Sequence, residues 1–297
     1  MSKSRQIGHV AAFFTVFIWG TTFISTKVLL RDFQPVEILF FRFSMGFLAL
    51  CLADLRRMKG TTRRQECFFA AAGLCGLTLY YLLENVALTF TLASNAGVII
   101  STAPFFTALL AMAAKKEEER PGWNFFLGFL VSIAGICLIG FNGARLRLNP
   151  AGDLLVVGAA FVWACYSLLM KEIGAFGYPV IQVTRKIFFY GLLWMLPALF
   201  LFHFRLDLQR FQEPVNLFNM LYLGLGASAA CFVTWNFAVK VLGAVKSVVY
   251  IYLNPVVTVF ASTLILREPV TVLSAAGTLL TLAGLILSEW KPKRKEV

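Results

Sequence analysis

Ten apolar stretches, each long enough to cross a bilayer, fill almost the whole chain, and they fall into two sets of five that repeat one another. A hydrocarbon core about 30 Å thick needs about 20 apolar residues per helix. The stretches lie at roughly 9–30, 35–55, 66–89, 93–114, 121–141, 151–172, 180–203, 215–238, 243–265 and 270–290. Charged residues are 14% of the chain, against about 25% in soluble domains, which leaves no room for a soluble catalytic domain. An outer-membrane barrel would alternate apolar and polar residues in shorter strands. The expected fold is therefore all-α and integral to the membrane.

The repeat shows in ordered matches. Phe17-Ile18-Trp19-Gly20 aligns with Phe161-Val162-Trp163-Ala164 at an offset of 144, which also pairs Lys27 with Lys171, Pro35 with Pro179, Val36 with Val180 and Arg42 with Lys186. Asn85, Ala87, Pro104 and Thr107 pair with Asn236, Ala238, Pro255 and Thr258 at 151. Glu119, Gly128 and Gly135 pair with Glu268, Gly277 and Gly284 at 149. Residues 1–145 then hold helices one to five and 146–297 helices six to ten, together one membrane domain. Because five is odd, the second copy enters the bilayer from the opposite side. Ten transmembrane helices as two inverted five-helix repeats are an architecture typical of secondary transporters, with a site near the midplane between the halves.

The net charge of +12 suggests nucleic acid only until its location is read. With the N-terminus inside and alternating helices, cytoplasmic segments hold sixteen Lys and Arg and external loops six. That is the positive-inside bias, and contact with anionic lipid accounts for most of the rest. Both termini are expected in the cytoplasm, in a bacterial inner membrane, and the amino-terminal run reads as a retained helix because it is too long for a signal peptide.

The chain resembles the drug/metabolite transporter superfamily, and within it the EamA family. The resemblance rests on Phe17-Ile18-Trp19-Gly20, on Ala93-Ser94-Asn95-Ala96 running through Pro104-Phe105-Phe106-Thr107 to the acidic loop Glu117–Glu119, and on Asn254-Pro255 and Arg267-Glu268-Pro269. It implies ten helices around a central cavity and transport of amino acids or other small metabolites, often outward. It implies no bound cofactor and no nucleotide hydrolysis.

Several residues are candidates for lining that cavity. Pro104 and Pro255 sit near the middle of helices four and nine. Proline lacks an amide hydrogen and displaces the carbonyl four residues earlier, which weakens the bonds of Ile100 and Ile251. Such backbone is tolerated only against protein or a wet cavity; a kink serving packing alone is the plainer alternative. Thr102 and Asn254 stand beside the prolines. Trp19 and Trp163 fall near midplane, where a buried indole N–H needs an acceptor; Tyr80, Tyr166 and Tyr252 have the same need. Trp235 and Asn236 align with Glu84 and Asn85. Arg42, Glu84, Arg185 and Lys186 are the deepest ionisable residues. At 1.5 Å per residue, Arg42 lies about 5 Å and Glu84 about 9 Å outward of midplane. Each needs a partner, water or neutralisation, since charge at that depth costs at least about 2.5 kcal/mol. Glu84 has three readings: a structural pair with Arg42, a seat for a substrate amine while Arg42 or Lys186 holds a carboxylate, or a proton carrier that couples transport. The small residues of helices five and ten, Gly128, Ser132 and Gly135 with Gly277, Thr281 and Gly284, read as close-packing faces.

Other classes lack their chemistry. All four aspartates, Asp32, Asp54, Asp153 and Asp207, lie in loops or at helix ends. There is no His-Glu-x-x-His, no deep histidine, no phosphate-cradling glycine loop and no metal-binding spacing among the six cysteines. An enzyme, a receptor and a nucleic-acid binder are set aside; a channel and an exchanger of anionic metabolites stay open as alternatives. The sequence expects a small-molecule substrate and a lipid bilayer as partners, and is silent on oligomeric state.

Overall fold

The computed structural model describes residues 3–56, 58–91, 93–114, 121–140, 149–257, 261 and 272–289. The motifs at 117–119 and 267–269, Thr258, the side chains of Ser94 and Asn95, and the tail at 291–297 lie outside that description, as do the basic residues at 57, 115, 116, 120, 145 and 147.

Ten helical units follow one another among the described residues. They are α1 (Lys3–Leu29), α2 (Pro35–Ala53), α3 (Arg63–Phe90), α4 (Ala93–Ile100 with Ala103–Ala113) and α5 (Trp123–Gly140). The second half gives α6 (Pro150–Ala175), α7 (Val180–Leu201), α8 (Pro214–Leu242), α9 (Ala244–Val257) and α10 (Val272–Glu289). Six of these, α1, α2, α3, α6, α7 and α8, are long and apolar enough to span a membrane by length and composition.

Local chemistry sets the starts. Pro35, Pro150 and Pro214 open α2, α6 and α8 in the first turn, where the missing N–H is no loss. Before α3, the Thr62 N–H donates to the Gln65 amide oxygen at 2.9 Å and Thr62 Oγ1 accepts from the Gln65 N–H at 3.3 Å, a reciprocal cap. Gly243, at φ +95°, turns the chain from α8 into α9 in a conformation that L side chains avoid.

Two departures from straight helices recur in both halves. First, α4 breaks at Ser101–Thr102, and the α-helix of α9 gives way to a 3-10 turn at Tyr250–Tyr252. Each break lies within five residues before its proline, Pro104 or Pro255. The continuous spans expected at 93–114 and 243–265 are thus interrupted, because proline removes an amide donor from the ladder. Second, α3 and α8 each contain a widened π segment, at Leu74–Leu79 and Tyr222–Ala230. Nothing in the hydrophobic pattern announces these, since an extra residue in one turn leaves the apolar composition unchanged.

Packing exchanges the halves. Helix α1 lies against α8, and its repeat counterpart α6 lies against α3; α2 packs on α7, α4 on α9 and α5 on α10. Every one of these pairs joins one repeat to the other, as a pseudo-two-fold axis between inverted copies requires. One buried cluster crosses the junction: Phe43 and Tyr81 of the first half meet Phe188 and Phe232 of the second, with ring centroids between 5.0 and 6.2 Å apart. The outer face is apolar and exposed, as at Leu48, Leu52, Leu130 and Leu279, which suits contact with lipid tails.

The α5–α10 seam brings backbones together. A Cβ on Gly135 would stand 2.6 Å from the Gly277 carbonyl oxygen, and one on Gly128 2.6 Å from that of Gly284. Gly135→Val is therefore expected to lower stability by about 1–3 kcal/mol through overpacking, read as an earlier thermal unfolding transition in detergent. An even number of crossings with the charge bias also predicts that reporter domains fused at either end are active only in the cytoplasm.

Candidate functional site

The two repeat-related tryptophans meet at the centre. Trp19 of α1 and Trp163 of α6 stand edge to face, centroids 5.1 Å apart at 84°. Trp235 of α8 lies 5.2 Å from Trp19 and 5.8 Å from Trp163, and Tyr80 of α3 lies 4.8 Å from Trp163. The Trp19 indole donates to the Ala227 carbonyl at 2.9 Å. Ala227 belongs to the π segment of α8, where widened turns leave carbonyls turned outward. The buried indole N–H groups of Trp163 and Trp235 meet no acceptor among the described residues.

Trp19, Trp163 and Tyr80 bound a small cavity of about 20 Å³, with Trp235 packed outside its lining. Of the residues expected from sequence, Trp19, Tyr80, Glu84, Trp163 and Asn254 line it. So do Ile100 and Ile251, the two positions whose carbonyls lose their donor to Pro104 and Pro255. A water needs roughly 10–15 Å³ of such space, so in this conformation the pocket is closed to anything larger. Sequence reasoning missed Thr22, Phe23 and Tyr81 as lining residues. The first two follow Trp19 by three and four positions on one helical face, and Tyr81 precedes Glu84 by three, so helical spacing alone held that signal.

Glu84 is 3% exposed and lines the cavity beside Tyr80, one turn earlier on α3. Arg42, 1% exposed, donates from Nε to Ser228 Oγ at 3.0 Å. Its guanidinium lies 4.4 Å over the Tyr81 ring and 5.1 Å from that of Phe43, a favourable placement of cation on aromatic face. Nη1 and Nη2 have no hydrogen-bond partner among the described residues. No ion pair joins Arg42 to Glu84; Tyr81 lies under the guanidinium and also walls the cavity. The depths inferred from sequence allow a pair, but α2 directs Arg42 toward α8 instead.

Other expected residues sit elsewhere. Lys186 is not central: its ammonium pairs with Glu66, which also accepts from Tyr190 at 2.5 Å. Arg185 reaches the main-chain oxygens of Asp54 and Arg56. Both cations lie near the end of α2, because α7 runs opposite to it and brings its own beginning there. Gln182 donates to Asp54 at 3.0 Å; this bond, then the Arg56 N–H, holds the Asp54 carboxyl below its usual range. Tyr252 packs with Ala108, Ala111 and Phe125 rather than in the pocket. Asn85 donates to the Pro35 carbonyl at 3.2 Å. Asn236 accepts from the Tyr166 hydroxyl at 2.7 Å and donates to Thr184 at 3.0 Å, so this repeat-related pair of asparagines fastens helices. Thr102 Oγ1 donates to the Ile99 carbonyl at 2.7 Å at the α4 break; Pro104 and Pro255 are buried and do not line the pocket.

At the opposite end, Arg210 clamps Glu37 at 2.7 Å and the Asp32 carbonyl at 2.7 Å. Asn216 joins Asp32 at 2.9 Å. One polar strap thus ties the second half to the first at each end of the bundle. A cysteine at Asn254 is expected to react with small aqueous thiol reagents during turnover, whereas one at Tyr252 should stay protected; mass-shift labelling in vesicles distinguishes them.

A model of the EamA-like transporter family matches residues 6–141 and again 150–290. An "uncharacterized transporter" of Archaeoglobus fulgidus is 26% identical, over 95% of this chain and 97% of that one. A protein of Streptantibioticus cattleyicolor named a "probable terminal-alkyne amino-acid exporter" is 29% identical, over 92% of this chain and 90% of its own. A solved crystal structure superposes with a TM-score of 0.74 at 19% identity, covering 95% of this chain and 96% of the other. At that identity the likeness speaks for the fold.

Proposed function

The chain belongs to the EamA-like transporter family, and we propose that it exports small amino-bearing metabolites such as amino acids across a bacterial inner membrane by alternating access. One observation carries the choice of substrate: a single buried carboxylate, Glu84, in a wall otherwise made mainly of rings and aliphatic groups. A substrate ammonium would take the carboxylate and the faces of Trp19, Trp163 and Tyr80, since aromatic faces attract cations. The apolar part of the substrate would lie against Phe23, Ile100 and Ile251. The name of the Streptantibioticus relative supports the same class.

The closed pocket fits a carrier that admits one face at a time. The straps at the two ends, Glu66–Lys186 and Glu37–Arg210, are placed to open alternately. Discontinuous α4 and α9 lend support, because half-helices around a midplane site are a transporter device. The Glu84 carboxylate is also the group suited to carry a proton against substrate. Anion exchange keeps one feature in its favour, the unpartnered Nη atoms of Arg42; the other two deep cations, Arg185 and Lys186, are engaged at the end of α2.

The decisive assay is counterflow in liposomes over amino acids, amines and organic anions. Saturable, trans-stimulated exchange of an amino compound is expected, and Glu84→Gln should reduce it at least about tenfold, the loss of roughly 1.4 kcal/mol, at equal membrane insertion. Wild-type exchange by the Gln variant would remove Glu84 from the transport role; conductance without counterflow would make the protein a channel.

A further inference from the structure

A second cavity, a cleft of about 550 Å³, lies between α2 and α7. Its walls come from α2, the loop after it and α7, and none from α1, α3, α4, α6 or α9, which build the aromatic pocket. It is therefore not a vestibule of the transport site. Phe47, Cys51 and Leu55 form one apolar wall and Phe189 the other, with the Phe47 and Phe189 rings 6.4 Å apart. From Phe47 to Cys51 the helical part of this wall runs about 6 Å at the rise of 1.5 Å per residue, and Leu55 continues it beyond the end of α2. Beside it Leu48, Leu52 and Leu193 are exposed, so the cleft borders the lipid-facing surface.

The polar end of the cleft is cationic. Gln182, Arg185 and Lys186 line it. Arg185 uses two donors on the Asp54 and Arg56 carbonyls and keeps three of its five. Arg56 joins Asp54, which Arg185 also reaches through its carbonyl, and Lys186 joins Glu66; Lys59, Arg63 and Arg64 follow in the same stretch of sequence. Basic pockets between membrane helices suit anionic headgroups.

We propose that this cleft holds one anionic glycerophospholipid, its phosphate on Arg185 with Lys186 alongside and one acyl chain against Phe47, Cys51 and Leu55. The apolar wall, the lipid-side opening and the cationic end match the three parts of such a molecule. The site is separate from the transport pocket and stands whatever the transported substrate is.

Native mass spectrometry of the detergent-purified chain tests it, with phosphatidylglycerol, phosphatidylcholine and glycerol phosphate as probes. One phosphatidylglycerol should be retained over phosphatidylcholine by about tenfold or more, with glycerol phosphate not retained. Arg185→Gln should cut that preference about fivefold, from the loss of one interfacial cation. Cys51→Trp fills the apolar wall without touching a charge and should abolish the retained lipid, with the unfolding temperature showing that the variant is folded. Equal retention of both lipids by the wild type, or undiminished retention by folded Cys51→Trp, overturns the proposal. Retention of glycerol phosphate alone overturns it as well, and places a soluble phosphate ester there.

Discussion

Lipid offers no hydrogen bonds to a peptide group, and every feature of this molecule answers to that. Ten helices satisfy their own backbones. Where the ladder is loosened, the chain supplies a substitute: the Trp19 indole on the Ala227 carbonyl and the Thr102 hydroxyl on that of Ile99. The loosened places are not scattered. The π segments precede Tyr80 and Cys231, and the breaks of α4 and α9 adjoin Ile100 and Ile251. Backbone irregularity is concentrated around the interior pocket, where side chains of the opposite half reach it.

Charge follows the same economy. Arg42 is buried with a hydroxyl and two ring faces rather than a carboxylate, and Glu84 is buried beside a phenol. Full pairing occurs instead at the two ends, in Lys186–Glu66 and Arg210–Glu37, where both cations remain partly exposed to water. Central charges lacking an ion pair are costly to hold, and Glu84 and the Tyr81 ring beneath Arg42 both border the aromatic pocket.

Much of the architecture was legible in the sequence, because hydrophobic length, proline position and the ordered repeat are properties of the chain itself. The central tryptophans could be found by aligning the halves, since a repeat axis brings equivalent residues together: Trp19 touches Trp163. Side-chain direction was not legible. Lys186 aligns with Arg42 in the repeat, yet it turns toward Glu66, because the first turn of α3 places a carboxylate there, whereas α8 offers Arg42 only the Ser228 hydroxyl. Tyr252 looked equivalent in kind to Tyr80, but it faces α5 across a smaller cluster. The π segments were invisible for a simpler reason: they alter the phase of a helix, and a fully apolar stretch carries no phase to alter.

The glycine seam between α5 and α10 constrains descent as well as stability. At Gly128, Gly135 and Gly284 the space that any other residue needs is occupied by main-chain atoms of the facing helix, which cannot step aside as a flexible side chain would. Every codon change that alters the amino acid there adds the same forbidden carbon. The outer leucines can drift among many apolar neighbours in sequence space, while any side chain at these three positions has to push the two helices apart and give up stability.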